Sequence, residues 1–537
     1  MTGTLRLTRA ALRRDRGQLR LWMLGLLVTA VVCALNISSG YGEEAERIAA
    51  LLLAADNPAL LIGRGLPMGP GEGAFLFYTY GVVLATAFAV FAAFFAVRHG
   101  RAEEDDGTRE LLRAAATGRL AGLTAMFTAG TLACLGLAAA MVAGLVIGGA
   151  ESGGSIWAGA SCALVGLVFL AVGALCGQAA PTGRAASGLA ALVISAFFLI
   201  RVAADVQAEI DPVTLIGRPV LLGWLSPFSL ALIADPYGTV NPWPLLTMAL
   251  TAIGGAVAAA AIERRREFGT SLLPPRPGPA HAPASLGSPL RLALRLQRGT
   301  LLGMMLAGFV VGGFAAILAT LALGSGENDA IREIIEGLVG QHGPLYDLLL
   351  SYVMVLVGEC AAIAGALVVL RARREEATGN AEMIRGAGIN PWRWFGSVLT
   401  VGLVSILLVL ATAWIGAAGV YLASGLDQQA IWQVFAASAA QVPATGLYLG
   451  LIALVFAVAP RLTGAFAWTI LAVGVVLAEL GGRLGLPDPV IALSPFVHTP
   501  LVTTASPQWG GAVVMSAMAI AAAASALVAY RRRDLSP

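Results

Sequence analysis

The sequence predicts an all-α polytopic membrane protein: about twelve transmembrane helices in two parallel six-helix repeats, with both termini cytoplasmic. Three observations carry that expectation. Of 537 residues, 58% are hydrophobic and 12% charged, with a mean hydropathy of +0.81, which leaves too little polar surface for a soluble globule of this size. Apolar runs of roughly 20 residues, long enough to cross about 30 Å of hydrocarbon at about 1.5 Å per residue, recur along the whole chain. A charged cluster, Arg101-x-Glu103-Glu104-x-x-Gly107-x-x-Glu110-x-x-Arg113, returns as Arg373-x-Glu375-Glu376-x-x-Gly379-x-x-Glu382-x-x-Arg385, and such self-similarity marks an internal duplication.

The apolar runs place spans near 21–39, 75–97, 121–148, 156–178, 187–204, 243–262, 301–323, 347–370, 395–422, 431–459, 465–480 and 509–530. Orientation follows from arginine, because the chain contains no lysine. With the N-terminus inside, 28 of the 34 arginines are cytoplasmic and only Arg47, Arg64, Arg201, Arg218, Arg332 and Arg483 lie outside, as the positive-inside rule requires. The arginine-rich residues 6–20 ahead of an apolar stretch raise the question of a signal peptide, but that stretch is long and has the character of a first span. All five cysteines fall within spans without CxxC spacing and are expected to pack as small apolar residues.

The repeats are bounded as 1–266 and 290–537, joined by a linker at 267–289 whose six prolines favour an extended tether. Leu225-Ser226-Pro227-Phe228 returns as Leu493-Ser494-Pro495-Phe496, and Trp243 with Arg264-Arg265-Arg266 returns as Trp509 with Arg531-Arg532-Arg533. Six spans per repeat make the copies parallel, related by an axis along the membrane normal. Ahead of the first span, Arg6, Arg9, Arg13, Arg16 and Arg20 share about 80° of a helical wheel beside Leu5, Leu12 and Leu19, which predicts an interfacial elbow helix. A shorter version, with Arg291, Arg295 and Arg298, precedes the second repeat.

Between Val97–Ala115 and Val369–Ala387, eight of nineteen positions are identical. Read as a helix, Glu103, Gly107 and Glu110 share one face, so that a bare backbone patch lies between acids. A solvated loop would explain the charge but not the repeated glycine; a helix docking another protein would explain both. A Walker A loop needs a lysine for the nucleotide phosphates, so this chain holds no standard P-loop site and any ATP-driven work belongs to a partner.

At these residues the chain resembles a family. Glu-Glu-x-x-Gly-Thr-x-Glu-Leu-Leu at 103–112 looks like the coupling-helix region of ABC type-2 exporter permeases. The stretch 265–279, flanked by Trp224-Leu225-Ser226-Pro227-Phe228 and by Leu294-Arg295-Leu296-Gln297-Arg298-Gly299, resembles the tetronasin-type exporters of polyketide antibiotics. The second copy departs from the pattern, reading Asn380-Ala381-Glu382-Met383-Ile384. The resemblance implies a fused transmembrane subunit with no cofactor of its own, served by two copies of an ABC ATPase that bind ATP and Mg. It also implies a hydrophobic small-molecule substrate, a plasma-membrane location and no nucleic-acid partner. The docking residues would be Glu103, Glu104, Gly107, Glu110, Arg113, Glu375, Glu376, Gly379, Glu382 and Arg385. Ser226, Pro227, Phe228, Ser494, Pro495 and Phe496 would form re-entrant elements at the outer mouth, where irregular backbone must be buried in protein or face a cavity.

Inside the membrane, Glu359 sits near the middle of the eighth span with Ala87 at the matching place in the first repeat. An unpaired charge there costs about 2.5–3.5 kcal/mol, so it faces a cavity or is neutralised. Phe88 and Phe91, in a second span crowded with aromatics, line a hydrophobic path or pack as core. Arg201 and Glu479 close the fifth and eleventh spans and either bridge the repeats or snorkel separately. Trp157, Trp243, Trp432 and Trp509 open spans from the outer side as interfacial anchors. No metal-ligand spacing and no nucleophile with a base stands out, so an enzyme is not expected. The competing reading is a secondary drug/proton antiporter of major-facilitator-like architecture, which also has two parallel six-span halves but needs titratable core groups and lacks a repeated acidic segment after the second span.

Overall fold

The computed structural model describes residues 3–56, 59–110, 118–267, 269–273, 281, 286–324, 345–424, 428–481, 486–502 and 507–533. Among these, twelve helices are long and apolar enough to cross a membrane, and each falls on a run named above. The chain forms two units, Met1–Gly278 and Pro279–Pro537, divided within the proline-rich linker.

In the first unit the second span, Glu72–Val97, and the fourth, Ser152–Ala179, form the centre. Their most apolar windows are 67% and 72% buried, against 11% for the sixth span, Pro242–Arg265. The remaining spans, Arg16–Gly40, Ala121–Ile147 and Gly183–Val206, complete the ring. The second unit repeats the plan. Its eighth and tenth spans are central, and the seventh, ninth, eleventh and twelfth surround them. Apolar surface gains little from helix association in lipid, so close backbone approach must hold the spans together. Gly144 and Gly148 let the third span meet Leu27, Ala30 and Ala34 of the first, and Gly308 and Gly312 let the seventh span meet Val409 and Ala413 of the ninth; a Cβ at any of the four would overlap its neighbour.

Local sequence sets the span ends. The sixth and ninth spans both open on Asn-Pro-Trp: Asn241 accepts from the Trp243 amide at 3.2 Å and Asn390 from the Trp392 amide at 3.3 Å. The intervening proline occupies a first-turn position whose missing N–H costs nothing. Trp157, Trp243, Trp432 and Trp509 are all exposed on the surface of their units, as anchors should be.

Three features differ from the sequence expectation. The first elbow, Thr4–Arg14, is a separate helix ending at Asp15, but its counterpart is continuous with the seventh span in one helix, Pro289–Gly324. The first unit is interrupted at Asp15, where the second has Gln297, a better helix former, ahead of the same Arg-Gly pair. The tenth span is broken into Gln428–Ala439 and Val442–Val458, with Pro443 just past the break. A short hairpin also stands at the end away from the termini, Glu209–Ile210 antiparallel to Gly217–Arg218. It is tied to the segment before the second span by the Gly217 amide donating to the Pro67 carbonyl at 2.8 Å.

Beside the hairpin, the Tyr237 ring fills a slot created by Gly73 and Gly154 of the two central spans. Its hydroxyl lies 2.9 Å from Ser155 Oγ, and burial pushes the phenol up to about 12. This loop therefore locks the outer ends of the second, fourth and sixth spans.

Candidate functional site

The repeated charged cluster lies at the end of each unit where the second span, or the eighth, runs out. In the first unit the helix passes through a π-turn, Arg98–Ala102, and a last turn, Glu103–Asp105, and stops at Gly107. Gly107 has φ +73° and Gly379 has φ +77°, the left-handed region that glycine enters without a Cβ penalty. The hydrogen bonds repeat as well. The Gly107 amide donates to the Glu104 carbonyl at 3.2 Å and the Glu110 amide to the Gly107 carbonyl at 3.1 Å; Gly379 and Glu382 do the same to Glu376 and Gly379, both at 3.1 Å. Glu103, Gly107 and Glu110 therefore do not share a helical face. The left-handed backbone conformation accounts for a glycine at both places.

The turn and a continuous helix respond to alanine with opposite signs. No atom of the described residues lies within 4 Å of the Cβ position at Gly107 or Gly379, so backbone strain is what opposes alanine, about 1–2 kcal/mol at such a φ. Gly107→Ala and Gly379→Ala should each lower the thermal midpoint in detergent. A continuous helix would instead gain about 1 kcal/mol from the same change.

Most of the cluster is spent inside its own unit. Arg101 donates through Nε and Nη2 to the Pro181 carbonyl, at 3.2 and 2.5 Å, and through Nη1 to Glu104 at 3.2 Å and the Thr270 carbonyl at 3.0 Å. Glu104 accepts Arg266 Nη2 on both oxygens, at 3.0 and 2.8 Å, and the Gly269 amide at 2.9 Å. The second unit repeats this lock: Arg373 Nε donates to the Pro460 carbonyl at 2.8 Å, and Arg533 pairs with Glu376. Each lock fastens the end of the second or eighth span to the loop before the fifth or eleventh, and to the last arginine of the triplet closing the sixth or twelfth. The same arginine triplet that signalled topology in the sequence thus has a structural task at its third position.

Glu103 and Glu375 face the segment entering the first span of each unit. Glu103 pairs with Arg14 of the elbow and lies 3.1 Å from His99 Nδ1, while His99 Nε2 is 2.6 Å from Asp15. At the place of His99 the second unit has Arg371, which donates to Glu375 at 2.9 Å and to the Leu296 carbonyl at 2.6 Å. Of the motif's glutamates, Glu110 in one unit and Glu382 in the other are exposed, and Asp105, Asp106, Arg374 and Met383 are exposed beside them. Arg113 lies outside the described residues, as does the Arg385 side chain.

The Ser-Pro-Phe segments also have matching geometry. Ser226 Oγ donates to the Phe197 carbonyl and Ser494 Oγ to the Gly474 carbonyl, each at 2.8 Å. Pro227 opens a short helix, Pro227–Ile233, and Pro495 a single 3₁₀ turn, Pro495–His498. Phe228 packs on Phe169 with centroids 5.3 Å apart, and Phe496 on Tyr448 at 5.1 Å. Serine pins the returning chain to the preceding span and phenylalanine plugs it into a central one, so the irregular backbone is buried in protein.

Within the spans, Phe88 and Phe91 belong to the packed core of the first unit, with Phe91 set edge-on to Trp22 at 5.5 Å. Glu359 is buried in the second unit and its Oε1 has no hydrogen-bond partner among the described residues. Arg201 does not snorkel. It is fully buried, paired with Asp205 at 2.6 Å, and donates to the Leu61 and Ile62 carbonyls at 2.6 and 2.7 Å. It clamps the segment before the second span to the fifth span, an assignment that the unpaired look of the sequence around Arg201 hid, since Asp205 is one helical turn away.

Twelve spans in two six-span units, with charged turns and helix-end locks, define a multi-pass membrane protein. The model of the C-terminal domain of the multidrug efflux system permease Rv1217c matches residues 286–531. Over 542 aligned residues, 99% of this chain and 95% of the relative, the sequence is 30% identical to the multidrug efflux system permease protein Rv1217c of Mycobacterium tuberculosis strain ATCC 25618 / H37Rv. The chain belongs to this Rv1217c-like family of efflux permeases.

Proposed function

We propose that this protein is the transmembrane subunit of an ABC exporter of type-2 permease character, moving hydrophobic compounds such as drugs or polyketide antibiotics out of the cell with a separate ATPase. The similarity to a multidrug efflux permease along the whole chain supports export. The observation that carries the coupling claim is the pair of glycine turns, at Gly107 and Gly379, each presenting an exposed glutamate and each locked behind to an arginine at the end of a sixth or twelfth span. The two units are read as duplicated copies, 1–266 and 290–537, with the turns on the cytoplasmic side.

In this mechanism two ATPase copies, holding ATP and Mg, engage Glu110 and Glu382 through basic side chains or backbone amides. Closure of the ATPase pulls on the turns. The Glu104–Arg266 and Glu376–Arg533 locks and the Arg101 and Arg373 bonds to proline carbonyls pass that displacement to several spans at once, because a salt-bridged helix end moves as one body. At the far end the Ser-Pro-Phe corners couple the fifth and eleventh spans to central ones, forming the outer mouth. Glu359 lies on the substrate path in this scheme. The core phenylalanines Phe88 and Phe91 transmit motion by packing.

The buried Glu359 carboxyl also favours a second reading, proton-coupled antiport. Inverted membrane vesicles containing the permease and its ATPase separate the two. ATP-dependent ethidium uptake that survives an uncoupler supports the ABC reading, whereas uptake driven by an imposed pH gradient without ATP would replace it with the antiporter.

A further inference from the structure

Among the buried oxygens of the second unit that meet no hydrogen-bond partner within the described residues are Glu359 Oε1, Gln441 Oε1 and Tyr448 Oη. All three residues are more than nine-tenths buried. They belong to the two central spans of that unit, the eighth, Leu345–Ala377, and the broken tenth. Gln441 sits in the break itself and lies against Gly358, next to Glu359; Tyr448 Oη lies against Gly474 of the eleventh span. Ser494, which lies beside the Tyr448 phenol, donates its proton to the Gly474 carbonyl and so can only accept from Tyr448.

The first unit shows what this place looks like when it only packs. Aligning Pro181 with Pro460, which accept the equivalent arginines, sets Cys162 against Gln441 and Phe169 against Tyr448. Phe169 stacks on Phe228 as Tyr448 stacks on Phe496, which fixes the register independently. Glu359 matches Ala87. Three apolar positions of the first unit are therefore oxygen-bearing in the second, and all three oxygens lack a donor. The fourth span is also unbroken where the tenth is interrupted. At the three matched positions the first unit packs without polar atoms and without the break, although Ser161 beside Cys162 carries a buried hydroxyl of its own. Broken spans with buried, unsatisfied groups at membrane depth are where transporters place ligands.

We propose that Glu359, Gln441 and Tyr448 form an intramembrane site for the protonated amine of an amphipathic substrate. A carboxylate oxygen, an amide oxygen and a phenol oxygen are acceptors, and an ammonium supplies up to three N–H donors with the charge that a buried carboxylate lacks. The Phe496 ring, stacked on Tyr448, offers the apolar body a surface. The inference rests on the reading of the chain as an exporter and adds the substrate's chemical class: a hydrophobic amine is selected over a neutral compound of the same shape.

The test compares 1-aminoadamantane with 1-adamantanol, matched in size and differing in charge and donors, by equilibrium binding to the full-length protein in lipid nanodiscs at pH 7.5. Wild-type protein should bind the amine about tenfold to a hundredfold more tightly, the range for a charge-assisted hydrogen bond. Glu359→Gln should abolish that preference, and Gln441→Leu and Tyr448→Phe should reduce it, with alcohol binding unchanged in all three. Tyr448→Phe restores the residue type of the first unit and is expected to fold. Equal affinity for the two compounds in wild type, or a preference that survives Glu359→Gln, overturns the proposal. Absence of binding to either compound by protein that still carries out ATP-driven ethidium transport also overturns it while leaving the exporter reading intact; loss of ATP-driven transport with the amine preference retained would strike the exporter reading alone.

Discussion

Glu104→Ala should destabilise the protein by about 3 kcal/mol, because it removes a carboxylate that accepts three donors and leaves buried Arg266 with only Glu263 at 3.5 Å and the Thr270 carbonyl. Both partners are buried, with side-chain exposures of 3% and 5%, so water compensates little. Glu376→Ala should cost less, since Arg533 is 15% exposed and water can take the place of the lost carboxylate. Glu104→Gln retains an acceptor for Arg266 and should recover part of the loss. A double-mutant cycle with Arg266→Met, read by thermal unfolding in detergent, isolates the pair, and the double variant should be more stable than Glu104→Ala alone. A change below about 0.5 kcal/mol for Glu104→Ala would place the pair among solvated surface bridges and remove the transmission path from the proposed mechanism.

Charge reversal at the exposed turn residues should leave stability nearly unchanged and uncouple transport. Glu110 and Glu382 are exposed, so Glu110→Arg or Glu382→Arg is expected to shift unfolding by about 0.5 kcal/mol or less. Facing basic partner groups, each substitution replaces an attraction with a repulsion, and the combined variant should lose ATP-dependent ethidium export by at least about tenfold. The single variants should differ from one another, because Glu110 precedes Leu111 and Leu112 whereas Glu382 is followed by exposed Met383. The contrast with Glu104→Ala matters: one variant unfolds the lock and the other leaves the fold but breaks the dock.

The sequence made the spans legible because each is a continuous apolar run and the bilayer permits little else. Only the tenth differed, and Pro443, whose ring and missing N–H disfavour a helix interior, was the signal. The charged cluster was legible as a repeat but not as a shape. Glycine at 107 and 379 is compatible with a helix face and with a left-handed turn, and sequence periodicity cannot choose between them. Glu104 and Arg266 are far apart in sequence, so the lock that consumes one of the presumptive docking acids needed the fold to reveal it. Gln441 and Tyr448 escaped notice because each is a single polar residue in an apolar run. They gain meaning only when the two units are aligned through Pro181 and Pro460 and their counterparts prove to be Cys162 and Phe169. Arg201 was misjudged for a related reason: its depth suggested the interface, while its partners are Asp205 and two carbonyls of a preceding segment.

The most direct test of the central claim is purification of the tagged full-length permease from cells that express it with its ATPase, followed by measurement of subunit stoichiometry and ATP hydrolysis. Two copies of an ATPase bearing a Walker A lysine should accompany each permease, with hydrolysis stimulated by a transported compound and with both assembly and stimulation lost in the Glu110→Arg, Glu382→Arg variant. A permease that exports ethidium while retaining no ATPase, or a complex whose assembly and stimulated hydrolysis survive both reversals, would contradict the account.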